Sequence, residues 1–185
     1  GTFFNAQTRE EFDKIMGLII SSALNATTAQ ISLLDNQGKP LETNVPVSVY
    51  SNTSGQIVES WIHTLNGKNN HDTIFLDPVL TYNIEVHTTP KIIKRNVSRV
   101  PGRHNTISID AAQGDIFFKI KGVTRYGRLP VLVSKGKQTD RITIQDFNTK
   151  KKYLVGDYDV EILTVPPTKI KGINVKQNRT TTVEI

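Results

Sequence analysis

The residues of this chain that could do chemistry are its histidines and its closely spaced acids. His87 lies two positions after Glu85 on a predicted strand, so both side chains share one face and could hold a metal with a cross-strand partner. Asp157, Asp159 and Glu161 alternate in the same way and could supply half of a cation site. For both sets we favour the simpler interpretation, a solvated strand face.

No other group of residues follows a catalytic or cofactor-binding pattern. The histidines form no zinc motif, no serine stands in a Gly-x-Ser-x-Gly elbow, and no phosphate-binding loop or dinucleotide fingerprint is present. The turn at 35–38 lacks the spacing of an EF-hand loop. The chain has no cysteine, which excludes disulfides and thiolate chemistry. The sequence therefore predicts a protein that is not an enzyme, with no metal and no cofactor.

Two aromatic residues are the candidates for ligand contact. Tyr126 stands in a predicted turn between Arg125 and Gly127, and Trp61 is the only tryptophan. Exposed aromatic rings can stack flat on sugars, so a carbohydrate-binding module is one alternative function, with Tyr126 as its first contact residue. For Trp61, a position in the core is the competing interpretation.

A basic segment suggests a second alternative. The net charge is +6, and part of it lies in a short segment that contains Lys94, Arg95, Arg99 and Arg103. Such a surface could bind a polyanion. Nucleic acid is not an expected partner, because this basic segment has no aromatic residue on which bases could stack.

The N-terminal segment, residues 1–28, is predicted to form a short strand at 2–4 and then an amphipathic helix. Thr8 and Glu11 have the spacing of a capping box. Apolar residues then recur at helical spacing up to Leu24, which predicts a helix over about residues 10–24. An isolated helix of this length is marginal in water. We therefore expect Phe12 and Ile19 to be buried, against the first sandwich or against the same helix in a homodimer.

The rest of the chain shows the two-residue period of strands, and it repeats. Residues 82–109 align with residues 158–185 without a gap, and seven of the 28 columns are identical. Turn signals separate the strands at short intervals. The predicted fold is mainly β: two tandem small antiparallel β-sandwich domains preceded by one α-helix. The predicted boundaries are 1–28, 29–110 and 114–185, and the short linker at 111–113 should restrict the angle between the sandwiches.

The N-terminal segment resembles the end of a von Willebrand factor type A domain. In that family a closing strand with an aromatic pair leads into a polar turn and a helix that begins with two acids, as in residues 1–15 (GTFFNAQTREEFDKI). The Asp-x-Ser-x-Ser loop that holds a metal in the family is absent from this sequence. The resemblance therefore implies a remnant of a preceding domain and no metal site.

The two repeats resemble transthyretin-like or immunoglobulin-like sandwich modules. The resemblance rests on a strand that enters an Asp-x-x-Gly-x-Pro turn at 31–40, on a Gly-x-Tyr strand start at 156–162, and on the closing strand at 105–110. It implies a bacterial envelope or extracellular protein. The leading prediction is a non-catalytic spacer or adhesion module with a protein or glycan ligand. No membrane span is expected, because no apolar run approaches 18 residues.

Overall fold

A computed structural model describes residues 5–66, 73–122, 129–136 and 141–185, with the backbone alone at 23–26. In these residues one helix, α1 (Arg9–Ala26), precedes fourteen strands. The strands are β1 Thr28–Leu34, β2 Val45–Ser51, β3 Ile57–His63, β4 Thr73–Phe75, β5 Tyr82–Val86, β6 Ile92–Val97, β7 His104–Asp110, β8 Gln113–Lys119, β9 Pro130–Lys135, β10 Arg141–Asp146, β11 Lys150–Leu154, β12 Gly156–Ile162, β13 Thr168–Val175 and β14 Thr180–Glu184. The prediction of a mainly β chain with one N-terminal helix is confirmed.

Each repeat forms a sandwich of two sheets with the same strand order. The first sandwich packs β4-β1-β7 against β3-β2-β5-β6, and the second packs β11-β8-β14 against β10-β9-β12-β13. Alternate residues of each strand point inward, so the apolar positions of the period-two pattern meet between the sheets. Two separate cores result, one around Tyr82 and one around Tyr153 and Tyr158.

The sandwiches are not purely antiparallel, which corrects the prediction. The first and last strands of each sandwich run parallel: β1 pairs with β7, and β8 pairs with β14. A parallel pair needs a connection that returns to the starting end, and here the whole of each sandwich supplies it. As a result the chain enters each sandwich at one end and leaves it at the other.

The repeat extends further in space than in sequence. Val47 lies opposite Val86, and Val131 lies opposite Ile162, so these pairs are equivalent although Val47 and Val131 are not 76 positions apart. Loops of unequal length between the early strands interrupt the gapless alignment. In the aligned half even the backbone matches, because Asn96 and its equivalent Gly172 both have positive φ, at 55° and 70°.

The helix has the predicted cap but not the predicted burial. Glu11 N donates to Thr8 Oγ1 over 3.2 Å, and Thr8 N donates to Glu11 Oε2 over 3.3 Å. Phe12 and Ile19, however, are 54% and 42% exposed. The predicted burial against the first sandwich is therefore wrong, because that sandwich closes its core between its own two sheets. The homodimer remains a prediction, and the strand predicted at 2–4 lies outside the described residues. No helix in the described segments is long and apolar enough to cross a membrane.

Candidate functional site

Arg99 does not contribute to the exposed basic surface that the sequence predicted. Its side chain is buried, with the guanidinium carbon 4.0 Å above the centre of the Tyr82 ring. One guanidinium nitrogen, Nη2, donates to the carbonyl oxygens of Asp77 and Leu80. Burial lowers the pKa of Arg99. Arg99 is therefore a structural residue of the first sandwich, where its charge fixes the loop before β5.

The other three predicted polyanion residues are exposed but do not form one surface. Lys94 and Arg95 are neighbours on β6, so their side chains point to opposite faces. Lys94 Nζ reaches across the edge of the sandwich and donates to Ser108 O over 2.8 Å. Arg95 stands on the outer sheet face, and Arg103 precedes β7. The alternation of β6 thus directs Lys94 and Arg95 to opposite faces rather than to one basic surface.

The two aromatic candidates for ligand contact have different outcomes. Trp61 lies opposite Val47 on the inner side of β3 and is partly buried against the first core. Its ring is therefore not laid flat on the surface, as stacking on a sugar requires. Tyr126 lies outside the described residues, so its role stays a prediction.

Glu85 lies on the outer face of β5 opposite Ser48, and His87, which follows the end of β5, contacts both residues. The Ser48 hydroxyl lies 2.9 Å from His87 Nε2, and His87 Nδ1 lies 3.6 Å from a Glu85 carboxylate oxygen. Such a chain of contacts could activate a serine. Ser48 is only 4% exposed, however, and its oxygen also lies 3.1 Å from the Ser60 hydroxyl. The hydroxyl is thus enclosed by its neighbours instead of facing a substrate.

The predicted half of a cation site is occupied by internal contacts. Its three acids share the outer face of β12: Asp157, Asp159 and Glu161. Asp159 accepts a hydrogen bond from Gly172 N, and Glu161 pairs with Arg141 at 3.6 Å. Asp157 accepts from the side-chain amide of Asn174. No group of three metal-ligating His, Asp or Glu side chains occurs among the described residues.

A shallow groove recurs at the same place on both sandwiches. In the first sandwich it measures about 200 Å³ and is lined by Tyr50, Asn83, Glu85, Ile93 and Arg95. In the second it measures about 230 Å³, and its lining includes the five equivalent residues Ser134, Asp159, Glu161, Lys169 and Lys171. Glutamate is the one residue type retained, and it pairs with a lysine in each copy. The groove is thus a feature of the fold whose central charge is already neutralised.

The junction between the sandwiches is a second site, and sequence reasoning missed it. Glu42, in the β1–β2 loop, accepts hydrogen bonds from Gln113 N at 3.2 Å and from Gln177 Nε2 at 3.4 Å. Asn36 N donates to Gln177 Oε1 over 2.9 Å. No motif marked Glu42, because its partners lie 71 and 135 positions away.

A backbone contact from a second loop of the first sandwich also joins the two sandwiches. Leu154 N, at the end of β11, donates to Thr89 O over 2.8 Å. Within the linker, Ala111 is buried and its N–H donates to Leu34 O. Two different loops of the first sandwich therefore make hydrogen bonds to the second.

Burial controls the electrostatics of the junction. Glu42 is 6% exposed, and this burial raises the pKa of its carboxyl, although the hydrogen bonds from Gln113 and the charge of Lys152 oppose the shift. Asp35 behaves in the opposite way, because the backbone N–H of Lys39 lowers the pKa of its carboxylate. The junction therefore contains one acid that burial makes harder to ionise.

The raised pKa of Glu42 predicts a pH dependence of stability. The folded state binds the Glu42 proton more tightly than the unfolded state, so its contribution to stability is full below the ordinary pKa of 4.5 and declines as pH rises through the raised value. Glu42→Gln keeps the acceptor oxygen and removes the ionisation. We expect the variant to gain stability relative to the wild type as pH rises from 4 to 7. Urea unfolding at several pH values measures this, and parallel curves for the two proteins would contradict it.

Comparison with known proteins gives only distant structural similarity. No protein-family model matches the chain, and no curated protein is similar to it. A Streptococcal ancillary pilin superposes with a TM-score of 0.40 at 14% identity, covering 85% of this chain and 62% of the pilin. The Bacillus anthracis TIE protein superposes with a TM-score of 0.34 at 12% identity, covering 86% of this chain and 34% of that protein. The chain thus spans less than two thirds of either protein, and at these scores the likeness supports no functional argument.

The fold and the junction together define the class of protein. Two sandwiches of one topology stand in series, and hydrogen bonds from two loops of the first sandwich hold the second against it. The described chain is therefore a tandem β-sandwich module.

Proposed function

We propose that this chain is a non-catalytic spacer of a bacterial surface or secreted protein, which supports adhesion by holding a neighbouring domain at a set distance and angle. The observation that carries the proposal is the parallel pairing of the first and last strands in each sandwich. Because the chain enters and leaves at opposite ends, successive modules add length. The hydrogen-bonded junction then fixes the orientation of the second sandwich relative to the first.

We further propose that a von Willebrand factor type A domain adjoins the N-terminal helix. The support is the exposed apolar face of α1, on which Phe12, Ile19 and Ile20 are 54%, 42% and 50% exposed. Soluble monomers seldom leave a large apolar patch uncovered. A preceding domain would cover this face in the way that the sequence resemblance implies.

The geometry favours the spacer over the two binding functions considered from sequence. Of the two residues predicted for a carbohydrate module, Trp61 packs against the core, and Tyr126 lies outside the described residues. A polyanion module would use Arg99, but its charge is buried and hydrogen-bonded. The spacer requires only the two sandwiches and their junction.

The spacer proposal predicts one preferred orientation of the two sandwiches. The natural chain has no cysteine, so Thr53→Cys and Lys150→Cys place one spin label on each sandwich at exposed positions. Double electron–electron resonance should give a single narrow distance distribution. Adding Glu42→Ala with Gln177→Ala should broaden it, with a loss of stability of about 1–3 kcal/mol because Gln113 N is left without its acceptor.

The matched control is Glu59→Ala, which removes an exposed glutamate from the same sandwich away from the junction. It should leave both the distance distribution and the stability unchanged. A wild-type distribution as broad as that of the double variant would refute a set angle, and with it the proposed spacer function.

A further inference from the structure

The second sandwich has an open cleft between the free edges of its two sheets. The cleft measures about 520 Å³ and lies between β13 and β14, which end their sheets in the described chain. Half-buried Ile170 and Val183 provide apolar surface in it, and Lys176 and Arg179 contribute positive charge. A cleft with an apolar floor beside a sheet edge has the shape that an extended strand can fill.

The backbone of β14 offers hydrogen-bonding groups to this cleft. Asp115 N donates to Arg179 O over 2.8 Å, and Ile185 N donates to Lys119 O over 3.0 Å, so the odd-numbered residues pair with β8. Successive residues of a strand direct their backbone groups to opposite edges. The groups that point into the cleft therefore belong to Thr180, Thr182 and Glu184. No other strand of the described chain pairs with this edge.

The first sandwich closes the equivalent edge with a lysine, whereas the second has there only a hydrogen bond near the β13–β14 turn, from Thr181 Oγ1 to Asn174 O, among the described residues. Lys94 Nζ spans the gap between β6 and β7 and donates to Ser108 O. Lysines on edge strands are a common protection against pairing with another chain. The 76-residue repeat places Ile170 at the position of Lys94 and Glu184 at that of Ser108. The second sandwich therefore has the apolar side chain of Ile170 where the first has the protecting charge of Lys94.

We propose that the outer edge of β14 binds an extended peptide segment of a partner protein by strand addition. The segment alternates apolar and acidic side chains. Its apolar side chains pack on Ile170 and Val183, and its acids face Lys176 and Arg179. Its backbone forms hydrogen bonds with the outward backbone groups of Thr180, Thr182 and Glu184. The threonine-rich sequence of β14 suits this role, because β-branched residues favour extended backbone.

The proposal is tested with the blocked peptide Val-Glu-Val-Glu-Val-Glu-Val on the intact chain. In nitrogen-15 NMR spectra we expect saturable shifts of the Thr180, Thr182 and Glu184 amide signals, together with slower hydrogen exchange at these amides. The peptide with lysine in place of glutamate should bind at least tenfold more weakly. Equal affinity of the two peptides would overturn the acidic specificity.

Two variants locate the site. Ile170→Lys restores the lysine of the first copy and should reduce affinity at least tenfold. Thr182→Pro removes one outward N–H but none of the bonds to β8, and proline is tolerated on sheet edges in this orientation. Thr182→Pro should cause a similar loss of affinity for the peptide. If Ile170→Lys lowers the melting temperature, the affinity of Thr182→Pro is the measurement that tests the site. The reciprocal change Lys94→Ile should raise the stoichiometry from one peptide to two.

Three results would overturn the proposal. The first is no binding of the glutamate peptide to the wild type. The second is binding that a folded Thr182→Pro variant leaves unchanged. The third is concentration-dependent dimerisation that protects the Thr182 amide without peptide, which would assign this edge to a second copy of the chain. None of these results bears on the angle between the sandwiches, so the spacer function is tested separately.

Discussion

Replacing Gly114 by alanine is expected to disrupt the second sandwich. A Cβ atom at this position of β8 would lie 2.1 Å from the carbonyl oxygen of Lys176 and 3.0 Å from that of Arg179. Both atoms belong to the backbone of the β13–β14 turn, which cannot move aside like a side chain. Asn178 N in this turn also donates to Gln113 O over 2.9 Å. Displacing the turn should lower the free energy of unfolding of the second sandwich by about 3 kcal/mol.

Urea unfolding with two probes checks this expectation. The fluorescence of Trp61, the only tryptophan, reports the first sandwich, whereas near-ultraviolet dichroism also contains the signals of Tyr153 and Tyr158 in the second, beside those of Tyr82 and Trp61 in the first. Gly114→Ala should lower the urea concentration at the midpoint of the dichroism transition more than that of the Trp61 fluorescence transition. Gly17→Ala is the control, because a Cβ there meets nothing within 4 Å. A Gly114→Ala protein as stable as the control would show that the turn can move freely.

Replacing Arg99 by methionine is expected to destabilise the first sandwich by about 2 kcal/mol. Methionine keeps the length of the side chain but removes the donors to Asp77 O and Leu80 O, and it removes the cation above the Tyr82 ring. Asp77 O keeps its bonds from Leu80 N and Tyr82 Oη, so the loss falls mainly on Leu80 O and on the contact with the Tyr82 ring. Arg99→Lys should recover only part of the loss, because an ammonium cannot reproduce a planar guanidinium.

The exposed Arg103 supplies the matched control. Arg103→Ala should change the free energy of unfolding by less than about 0.5 kcal/mol, as is usual for surface positions. Urea unfolding followed by Trp61 fluorescence compares the variants in the sandwich that contains both arginines. If Arg99→Met and Arg103→Ala have equal effects, the buried arginine is not a structural residue.

Local patterns in the sequence predicted the elements well. The capping box of Thr8 and Glu11 and the helical spacing after it predicted α1, since both depend on residues within one or two turns. Alternation predicted β5 and β12, whose equivalent tyrosines, Tyr82 and Tyr158, are both almost fully buried. In these cases the deciding interactions lie within a few positions of the residue concerned, or are duplicated in the second copy.

Patterns of charge were poor guides to function. Arg99 and Arg103 belong to one basic segment, yet one lies under a loop and the other in solvent. The difference depends on the position of Tyr82, which lies 17 positions before Arg99. Charge alone carries no information on which side of a loop a guanidinium finds its acceptors.

By itself the sequence determined the helix, the strands and the duplication, because each of them follows from the local spacing of apolar and turn residues. The tertiary structure alone decided the parallel pairing of β1 with β7, the junction around Glu42 and the open edge of β14. Each of these depends on backbone or side-chain groups that meet across 70 or more positions, or on a side chain absent from one copy. Such long-range contacts follow from the packing of complete sheets, and no local sequence pattern predicts them.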